Sequence, residues 1–195
     1  MKEKSGGDFY ALLFQMKNIL RWGLMYNSRP ENLSEHSMEC AVLAHALALI
    51  GNERFGKSFD PLRLLAAGLY HDMNEVLTGD LPTPVKYYND DIRRSYKEIE
   101  AVSEEKMLSL LDDGMRASYE ELLRLTPEEK KIVKGADKLC AYVKCLTELQ
   151  RGNREFASAC RVNEEGLRAF GSEEVDYFME HLLPSFTKNI DEVSL

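Results

Sequence analysis

Residues 60–72 read DPLRLLAAGLYHD, and this stretch indicates a helix that ends in two polar residues. Asp60 and Pro61 form a start signal, because an aspartate caps helix N-termini well and proline is tolerated at the first helical position. The leucines and alanines that follow supply helix propensity and an apolar face. His71 and Asp72 are therefore predicted to stand where a buried helix leaves the core, a position suited to a binding site.

Helical periodicity extends through the rest of the chain, and no segment of strand length alternates between apolar and polar residues. The sequence therefore predicts an all-α fold, a helical bundle with its functional site between helices. The segment Leu77 to Tyr88 contains a glycine and two prolines and is predicted to be a stiff, turn-rich loop. The predicted helices are about Phe9 to Trp22, Ser34 to Gly51, Asp60 to His71, Asp90 to Leu111, Ala117 to Leu125 and Thr126 to Gln150, with two more before Leu183.

The composition limits the classes of function. A chain of 195 residues, 44% of them hydrophobic, can bury one core, so a single domain is predicted. A formal net charge of −8 disfavours a nucleic-acid partner, because such binding depends on Lys and Arg contacts to phosphates. A small ligand that carries phosphate would need a local cationic pocket.

Cysteine usage and hydropathy indicate the compartment. The longest apolar run, Ala41 to Ile50, contains His45 and is too short to span a membrane, and no signal-peptide pattern is present. We expect a soluble, cytoplasmic protein with no membrane partner. Four cysteines form no C-x-x-C pair and lie in predicted helices, as buried thiols of a reducing compartment do. They are Cys40, Cys140, Cys145 and Cys160.

Three places in the sequence, on separate predicted helices, carry metal-ligand chemistry: His36, the pair His71-Asp72, and Asp137. Two imidazoles and two carboxylates suit a divalent transition metal with open positions for water or substrate. Two carboxylates neutralise such a cation, which stays electrophilic toward a phosphoryl oxygen. An unpaired carboxylate at Asp137, within an otherwise apolar helix, would be costly, and a bound cation removes that cost.

This H…HD…D order resembles the HD-domain phosphohydrolases, and the flanking words are similar to those of the bacterial 5′-deoxynucleotidase branch. The similar words are LRW at residues 20–22, ENLSEHS at 31–37, HDMNEVLTGDLPTPVK at 71–86 and ADKLCAY at 136–142. The resemblance spans about Phe9 to Ile190, and we expect a single HD domain over residues 1–195.

The resemblance implies a hydrolase of deoxyribonucleoside 5′-monophosphates that works as a homodimer with one divalent metal ion, namely cobalt, manganese or copper. It implies that Glu75 activates the attacking water, that Arg21 orients the phosphate, and that Trp22 crowds the 2′ side of the sugar. The implied metal ligands are His36, His71, Asp72 and Asp137. The implied nucleoside-binding residues are Asp80, Leu81, Pro82 and Thr83, and His36 and Asp72 also face the substrate.

The spacing of Glu75 supports its implied role. Glu75 lies four residues after His71 and three after Asp72, so the three share a face if the helix continues. His45, on the apolar face of the second helix, is interpreted as an ordinary core histidine, and His181 as a surface or interface residue.

Two alternatives remain open at this point. The first is another HD-type reaction, on a deoxynucleoside triphosphate, a cyclic dinucleotide or an alarmone. A triphosphate or alarmone site would require several additional Lys and Arg near the metal, whereas the neighbourhood of Asp80 offers mainly Lys86, Arg93 and Arg94. The second is a non-catalytic helical nucleotide-binding module whose metal is structural or absent, which would have no use for Glu75 as a base.

Overall fold

The structure is a computed structural model that describes residues 6–86 and 88–193. Within these ranges it contains α-helices, short 3-10 turns and an isolated β-bridge, but no β-strand. The all-α prediction is confirmed. The helices are α1 (Gly7–Leu13), α2 (Leu33–Phe55), α3 (Pro61–Tyr70), α4 (Glu75–Thr78), α5 (Thr83–Lys86), α6 (Asp90–Leu108), α7 (Asp113–Leu123), α8 (Pro127–Gln150), α9 (Ala157–Arg168) and α10 (Glu173–His181). The 3-10 turns are Phe14–Asn18, Arg154–Phe156, Leu183–Thr187 and Ile190–Glu192.

The described chain forms two compact units. The first consists of the described parts of Met1–Leu24, Pro30–Ser37 and Tyr70–Arg124. Helix α6 contacts α4, α5 and α7 within it. Its core buries apolar side chains from α1, from the segment after α3, from the end of α6 and from the turn that follows α6. These side chains are Phe9, Met73, Met107, Leu108 and Leu111.

The second unit consists of Met25–Arg29, Met38–Leu69 and the described part of Leu125–Leu195. Its longest helix, α8, begins at a capping box: the Glu129 N–H donates to Thr126 Oγ1 (3.2 Å), and the Thr126 N–H donates to Glu129 Oε2 (2.8 Å). Helix α8 packs against α9 and α10.

Gly68 lets helix α3 approach helix α2 closely. A Cβ at this position would lie 2.9 Å from the Cα of Ala41 and 3.1 Å from the carbonyl oxygen of Cys40.

The start of α3 was predicted correctly, because Asp60 Oδ1 accepts hydrogen bonds from the N–H groups of Leu62 and Arg63, both at 3.0 Å. Residues 71 and 72 follow directly after this anchored helix.

The predicted first helix was too long. Helix α1 ends at Leu13, a 3-10 turn follows, and Ile19 is extended. The Leu33 N–H donates to the Ile19 carbonyl (2.9 Å), and the Arg21 N–H donates to the Glu31 carbonyl (3.0 Å), so these backbone groups pair with distant residues instead of helical ones. A tertiary contact has overridden the helical periodicity.

Other predicted boundaries change for local reasons. Helix α2 continues through Gly51 to Phe55 and is followed by Gly56 at φ +63°, the left-handed conformation that commonly terminates helices. Helix α7 begins at Asp113, because Asp112 caps it by accepting hydrogen bonds from Gly114 and Met115. The helix therefore begins about one turn before the predicted start at Ala117.

The predicted loop Leu77 to Tyr88 contains the end of α4 and the single-turn helix α5, with Gly79 at φ +73° between them. The four cysteines are buried and form no disulfide. In the described part of the chain, no helix has both the length and the hydropathy to cross a membrane.

Candidate metal centre and active site

His36 lies one turn inside helix α2, whose start holds it in place. Asn32 caps the helix: its side-chain oxygen accepts from the Glu35 N–H (3.0 Å), and Glu35 Oε2 accepts from the Asn32 N–H (3.3 Å). This reciprocal pair has the geometry of a capping box. The His36 N–H donates to the Asn32 carbonyl (3.1 Å), and the His36 side chain is 1% exposed.

His71 and Asp72 follow the end of helix α3. The helix stops at Tyr70, and residues 71–74 form turns before α4 begins at Glu75. The condition for His71, Asp72 and Glu75 to share one helical face, a helix that continues to Glu75, is therefore not met. Hydrogen bonds to residues three positions earlier, from Met73 to Tyr70 (3.1 Å) and from Glu75 to Asp72 (3.0 Å), keep this segment tight.

The side chains of His36, His71 and Asp72 converge on one point. His36 Nε2 lies 3.3 Å from His71 Nε2 and 3.5 Å from Asp72 Oδ2, and His71 Nε2 lies 3.0 Å from the same oxygen. Ligand atoms bound at about 2.1 Å from one ion, at tetrahedral or octahedral angles, lie roughly 3.0–3.4 Å apart. The donor set and its spacing therefore fit a divalent transition metal.

Electrostatics favour an ionised carboxylate at this point. Burial alone would raise the pKa of Asp72, but the charges of His71 and His36, and hydrogen bonds from both rings, hold it well below its usual value. An ionised Asp72 is the form that binds a cation.

Arg21 reaches this point from the extended segment after the first 3-10 turn. Its Nε donates to Glu31 Oε1 at 2.9 Å, and its Nη1 lies 3.6 Å from Asp72 Oδ2. The backbone hydrogen bond between Arg21 and Glu31 places these two residues side by side. A guanidinium held beside the candidate metal ligands is suited to binding a phosphate oxygen.

Trp22, the next residue, has a left-handed backbone. Its φ is +60°, and among the described residues other than glycine it alone has a positive φ. This conformation is a strained one for a bulky side chain, and such strain concentrates at functional sites. The half-buried Trp22 is thus held immediately beside Arg21.

Glu75 is a buried carboxylate at the start of α4, 6% exposed. Burial, together with the negative charges of Asp72 and Asp80, raises the pKa of Glu75 to about 8, against the opposing positive charges of Arg21 and Lys86. A carboxylate with this pKa can accept or release a proton near neutral pH.

The predicted nucleoside-binding turn lies between α4 and α5. Asp80, Leu81 and Pro82 are half-buried and Thr83 is exposed. The Pro82 carbonyl accepts hydrogen bonds from the N–H groups of Val85 (2.8 Å) and Lys86 (3.0 Å), which fixes the turn.

A groove of about 700 Å³ continues from this turn along helix α6. Leu81 lines it, together with Leu77 and Tyr96. Lys86 Nζ pairs with Glu100 (2.6 Å) and lies over the ring of Tyr96, one of these lining residues.

Asp137, the remaining predicted ligand, lies in the middle of helix α8, in the second compact unit. Its side chain is half-buried, and the preceding residue, Ala136, is fully buried. A carboxylate at such a position needs partners that offset its desolvation.

Sequence reasoning gave Glu31 no role. It belongs to the word ENLSEHS, but its contact with Arg21 depends on the backbone bridge that the helical prediction for residues 9–22 missed. An acidic residue five positions before a candidate histidine ligand was the available signal.

Comparisons with known proteins identify the family of the chain. The sequence profile of the YfbR-like 5′-deoxynucleotidases matches residues 8–186. A 5′-deoxynucleotidase of Erwinia tasmaniensis is 49% identical over 189 residues, which is 95% of this chain and 96% of the relative.

Solved structures show the same fold. An HD-domain phosphohydrolase from Listeria innocua superposes with a TM-score of 0.80 at 23% identity, over 92% of this chain and 88% of the other. The cyanophage S-2L HD phosphohydrolase DatZ, solved with dA and one catalytic Zn²⁺ ion, gives a TM-score of 0.61 at 18% identity, over 90% of this chain and 96% of the other.

The helical fold, within which the histidine and aspartate cluster lies, is the fold of solved HD-domain phosphohydrolases. The chain belongs to the YfbR-like 5′-deoxynucleotidase family, so the resemblance seen in the sequence is confirmed.

Proposed function

We propose that the protein is a metal-dependent enzyme that hydrolyses deoxyribonucleoside 5′-monophosphates to the deoxynucleoside and inorganic phosphate. The observation that carries this proposal is the convergence of His36 Nε2, His71 Nε2 and Asp72 Oδ2 within 3.5 Å of one another. The choice of substrate is supported by the 49% identity, over nearly full length, to a relative named 5′-deoxynucleotidase.

The proposed metal ligands are His36, His71, Asp72 and Asp137. The first three are supported by their geometry, and Asp137 by its place in the word ADKLCAY and by the cost of its burial. Cobalt, manganese and copper are the proposed ions. When bound, the ion supplies an electrophile for a phosphoryl oxygen and lowers the pKa of a bound water.

Each remaining site residue has a proposed task. Arg21 binds and orients the phosphate, where its charge offsets that of the phosphoryl oxygens. The Glu75 carboxylate accepts a proton from the attacking water, and a pKa near 8 suits this proton transfer. Trp22 crowds the 2′ side of the sugar and so disfavours ribose. The nucleoside lies against Asp80, Leu81, Pro82 and Thr83, with His36 and Asp72 also facing the substrate.

We further propose that residues 1–195 act as a single HD domain, that the protein is a homodimer, and that it works in the cytoplasm. The family resemblance supports the first two statements. Four buried cysteines without a disulfide support a reducing compartment.

The substrate class is tested by measuring the release of inorganic phosphate from different nucleotides. The protein, stripped with chelator and reloaded with cobalt or manganese, is assayed on ribo- and deoxyribonucleoside monophosphates, on deoxynucleoside di- and triphosphates, and on a cyclic dinucleotide. We expect release from deoxyribonucleoside monophosphates that chelator abolishes and the metals restore. Preferred turnover of triphosphates, or full activity after exhaustive stripping, would overturn the proposal.

Glu75→Gln separates catalysis from binding. The variant keeps the shape of the side chain but cannot take up the proton, so turnover should be abolished while cobalt and nucleotide binding persist. Glu98→Gln, an exposed charge removal on α6, is the matched control and should keep parental activity. Undiminished turnover in Glu75→Gln would refute the assigned role.

A further inference from the structure

Glu31 lies between two residues of the proposed site, yet the mechanism above gives it no task. It is a charged residue that is only 7% exposed. Its Oε1 atom accepts a hydrogen bond from Arg21 Nε at 2.9 Å and lies 3.9 Å from Nδ1 of His36. One carboxylate oxygen therefore faces both the proposed phosphate-binding residue and a proposed metal ligand.

We infer that Glu31 is a positioning residue for the reaction, which sets the orientation of the Arg21 guanidinium and of the His36 ring. The inference rests on the proposed function, since it assigns Glu31 a task within that same site.

The argument for Arg21 starts from the shape of its side chain. A guanidinium is a rigid planar fork, so holding one nitrogen determines where the others point. Glu31 holds Nε, and Nη1 lies 3.6 Å from Asp72 Oδ2, beside the proposed metal position. The backbone hydrogen bond from Arg21 to Glu31 keeps the two side chains in register. The terminal nitrogens are thereby held beside Asp72, a proposed metal ligand, where they could bind a phosphate oxygen.

The argument for His36 concerns its two ring nitrogens. Nε2 faces His71 Nε2 and Asp72 Oδ2, so it is the nitrogen that would bind the metal. A carboxylate on the side of the other nitrogen favours a proton at Nδ1 and leaves the Nε2 lone pair for the ion. Glu31 occupies that side.

The experiment compares Glu31→Gln with a matched control, Glu53→Gln, which removes an exposed charge from helix α2. Cobalt affinity of the stripped proteins is measured by titration of the cobalt absorption bands. We expect Glu31→Gln to weaken cobalt binding about tenfold, since loss of a carboxylate that supports a ligand costs 10- to 100-fold. Glu53→Gln should bind cobalt like the parent.

A double-mutant cycle tests the action through Arg21. At saturating cobalt, Glu31→Gln should lower kcat/KM about tenfold in the parent and cause no further loss in an Arg21→Ala background. Where turnover is too slow, the affinity of the cobalt-loaded protein for inorganic phosphate replaces kcat/KM. Should Glu31→Gln fail to fold by circular dichroism, Glu31→Asp takes its place with the same expected pattern, since the shorter side chain cannot span both contacts.

The inference would be overturned if Glu31→Gln lowered kcat/KM equally in the parent and in the Arg21→Ala background. It would also be overturned if the folded Glu31→Gln variant bound cobalt as tightly as the parent. If the parent releases no phosphate from any deoxyribonucleoside monophosphate, the proposed function fails instead. The cobalt and phosphate titrations then still decide the role of Glu31.

Discussion

The Nε2 atom of His71 lies 3.0 Å from Oδ2 of Asp72, although the two residues are neighbours in the chain. In a continuing helix, successive side chains diverge by about 100° and could not face one point. Here helix α3 ends at Tyr70, and the turns that follow bring both side chains to the same side. The end of this helix is therefore what makes the His-Asp pair a candidate chelate.

Replacing Asp72 tests this relationship directly. Asp72→Asn keeps the size of the side chain but removes the negative charge and the anionic ligand atom, so metal affinity should fall by more than the roughly hundredfold seen for supporting residues. Isothermal titration of the stripped protein with manganese measures it. Asp113→Asn, an exposed charge removal on α7, serves as the control. Parental affinity in Asp72→Asn would exclude Asp72 as a ligand.

The pKa of Glu75 predicts how the stripped protein responds to pH. The folded-state value is about 8, above the ordinary carboxyl value of 4.5, so between these pH values the folded protein retains a proton that the unfolded chain releases. Folding stability should therefore fall as pH rises through this window. Glu75→Gln cannot release that proton and should be more stable than the parent by roughly 4 kcal/mol at pH 8, and by less than about 1 kcal/mol near pH 5.

Urea unfolding of the chelator-treated proteins at several pH values measures this difference. The two proteins differ only at residue 75, so contributions common to both cancel in the comparison. If the difference in the free energy of unfolding between variant and parent stayed constant across the pH range, the assignment of the raised pKa to Glu75 would be contradicted.

Local signals predicted much of the fold, because helix starts depend on a few neighbouring residues. The capping residues Asp60 and Thr126 marked α3 and α8 correctly, and both make the expected hydrogen bonds. The His71-Asp72 pair was also located correctly, at a helix end. The extended segment around Arg21 could not be predicted, since it depends on backbone pairing with residues 31–33, and its helical periodicity pointed the other way.

The same limit applies within the site. Residue types and spacing identified the metal-binding chemistry, but not the left-handed backbone of Trp22 or the contact between Arg21 and Glu31. The backbone of Trp22 and the contact of Arg21 both depend on the extended segment around Arg21. Polar contacts over long sequence separations, such as those of Glu148, leave no periodic signal and appear only in the folded chain.

Gly68 should resist enlargement. In Gly68→Ala the new Cβ would lie 2.9 Å from Ala41 Cα, and a backbone atom in a packed helix cannot easily move aside. We expect this steric clash to lower the free energy of unfolding by roughly 2 kcal/mol. That loss exceeds the gain of about 1 kcal/mol that alanine brings through its higher helix propensity. Gly166→Ala on α9, where the nearest atom is the mobile Lys138 Nζ at 3.9 Å, should show the gain alone. Urea unfolding measures the free energy of unfolding of both variants. Changes of the same sign in the two variants would contradict the close approach of Gly68 to Ala41.

Glu148 ties the segment Met25–Arg29 to helix α8. Its buried carboxylate accepts hydrogen bonds from the Ser28 N–H (2.9 Å), the Ser28 hydroxyl (2.6 Å) and the Asn153 side chain (2.8 Å), and from Lys144 Nζ (2.5 Å). Burial opposes ionisation, but these donors, led by Lys144 and Ser28, hold the pKa of Glu148 well below its ordinary value. The carboxylate therefore stabilises the fold in its ionised form.

Glu148→Gln should reduce the free energy of unfolding by roughly 3 kcal/mol at pH 7, because it removes the charge and leaves the Lys144 ammonium without its buried partner. The folded-state pKa is depressed, so the contribution is complete above the unfolded value near 4.5 and is lost as pH falls toward the folded value. The parent should thus lose part of its advantage over the variant as the free energy of unfolding is measured from pH 7 down to pH 3. Glu98→Gln, exposed on α6, should follow the parent throughout, whereas an advantage that persists undiminished at pH 3 would show that Glu148 does not act through its charge.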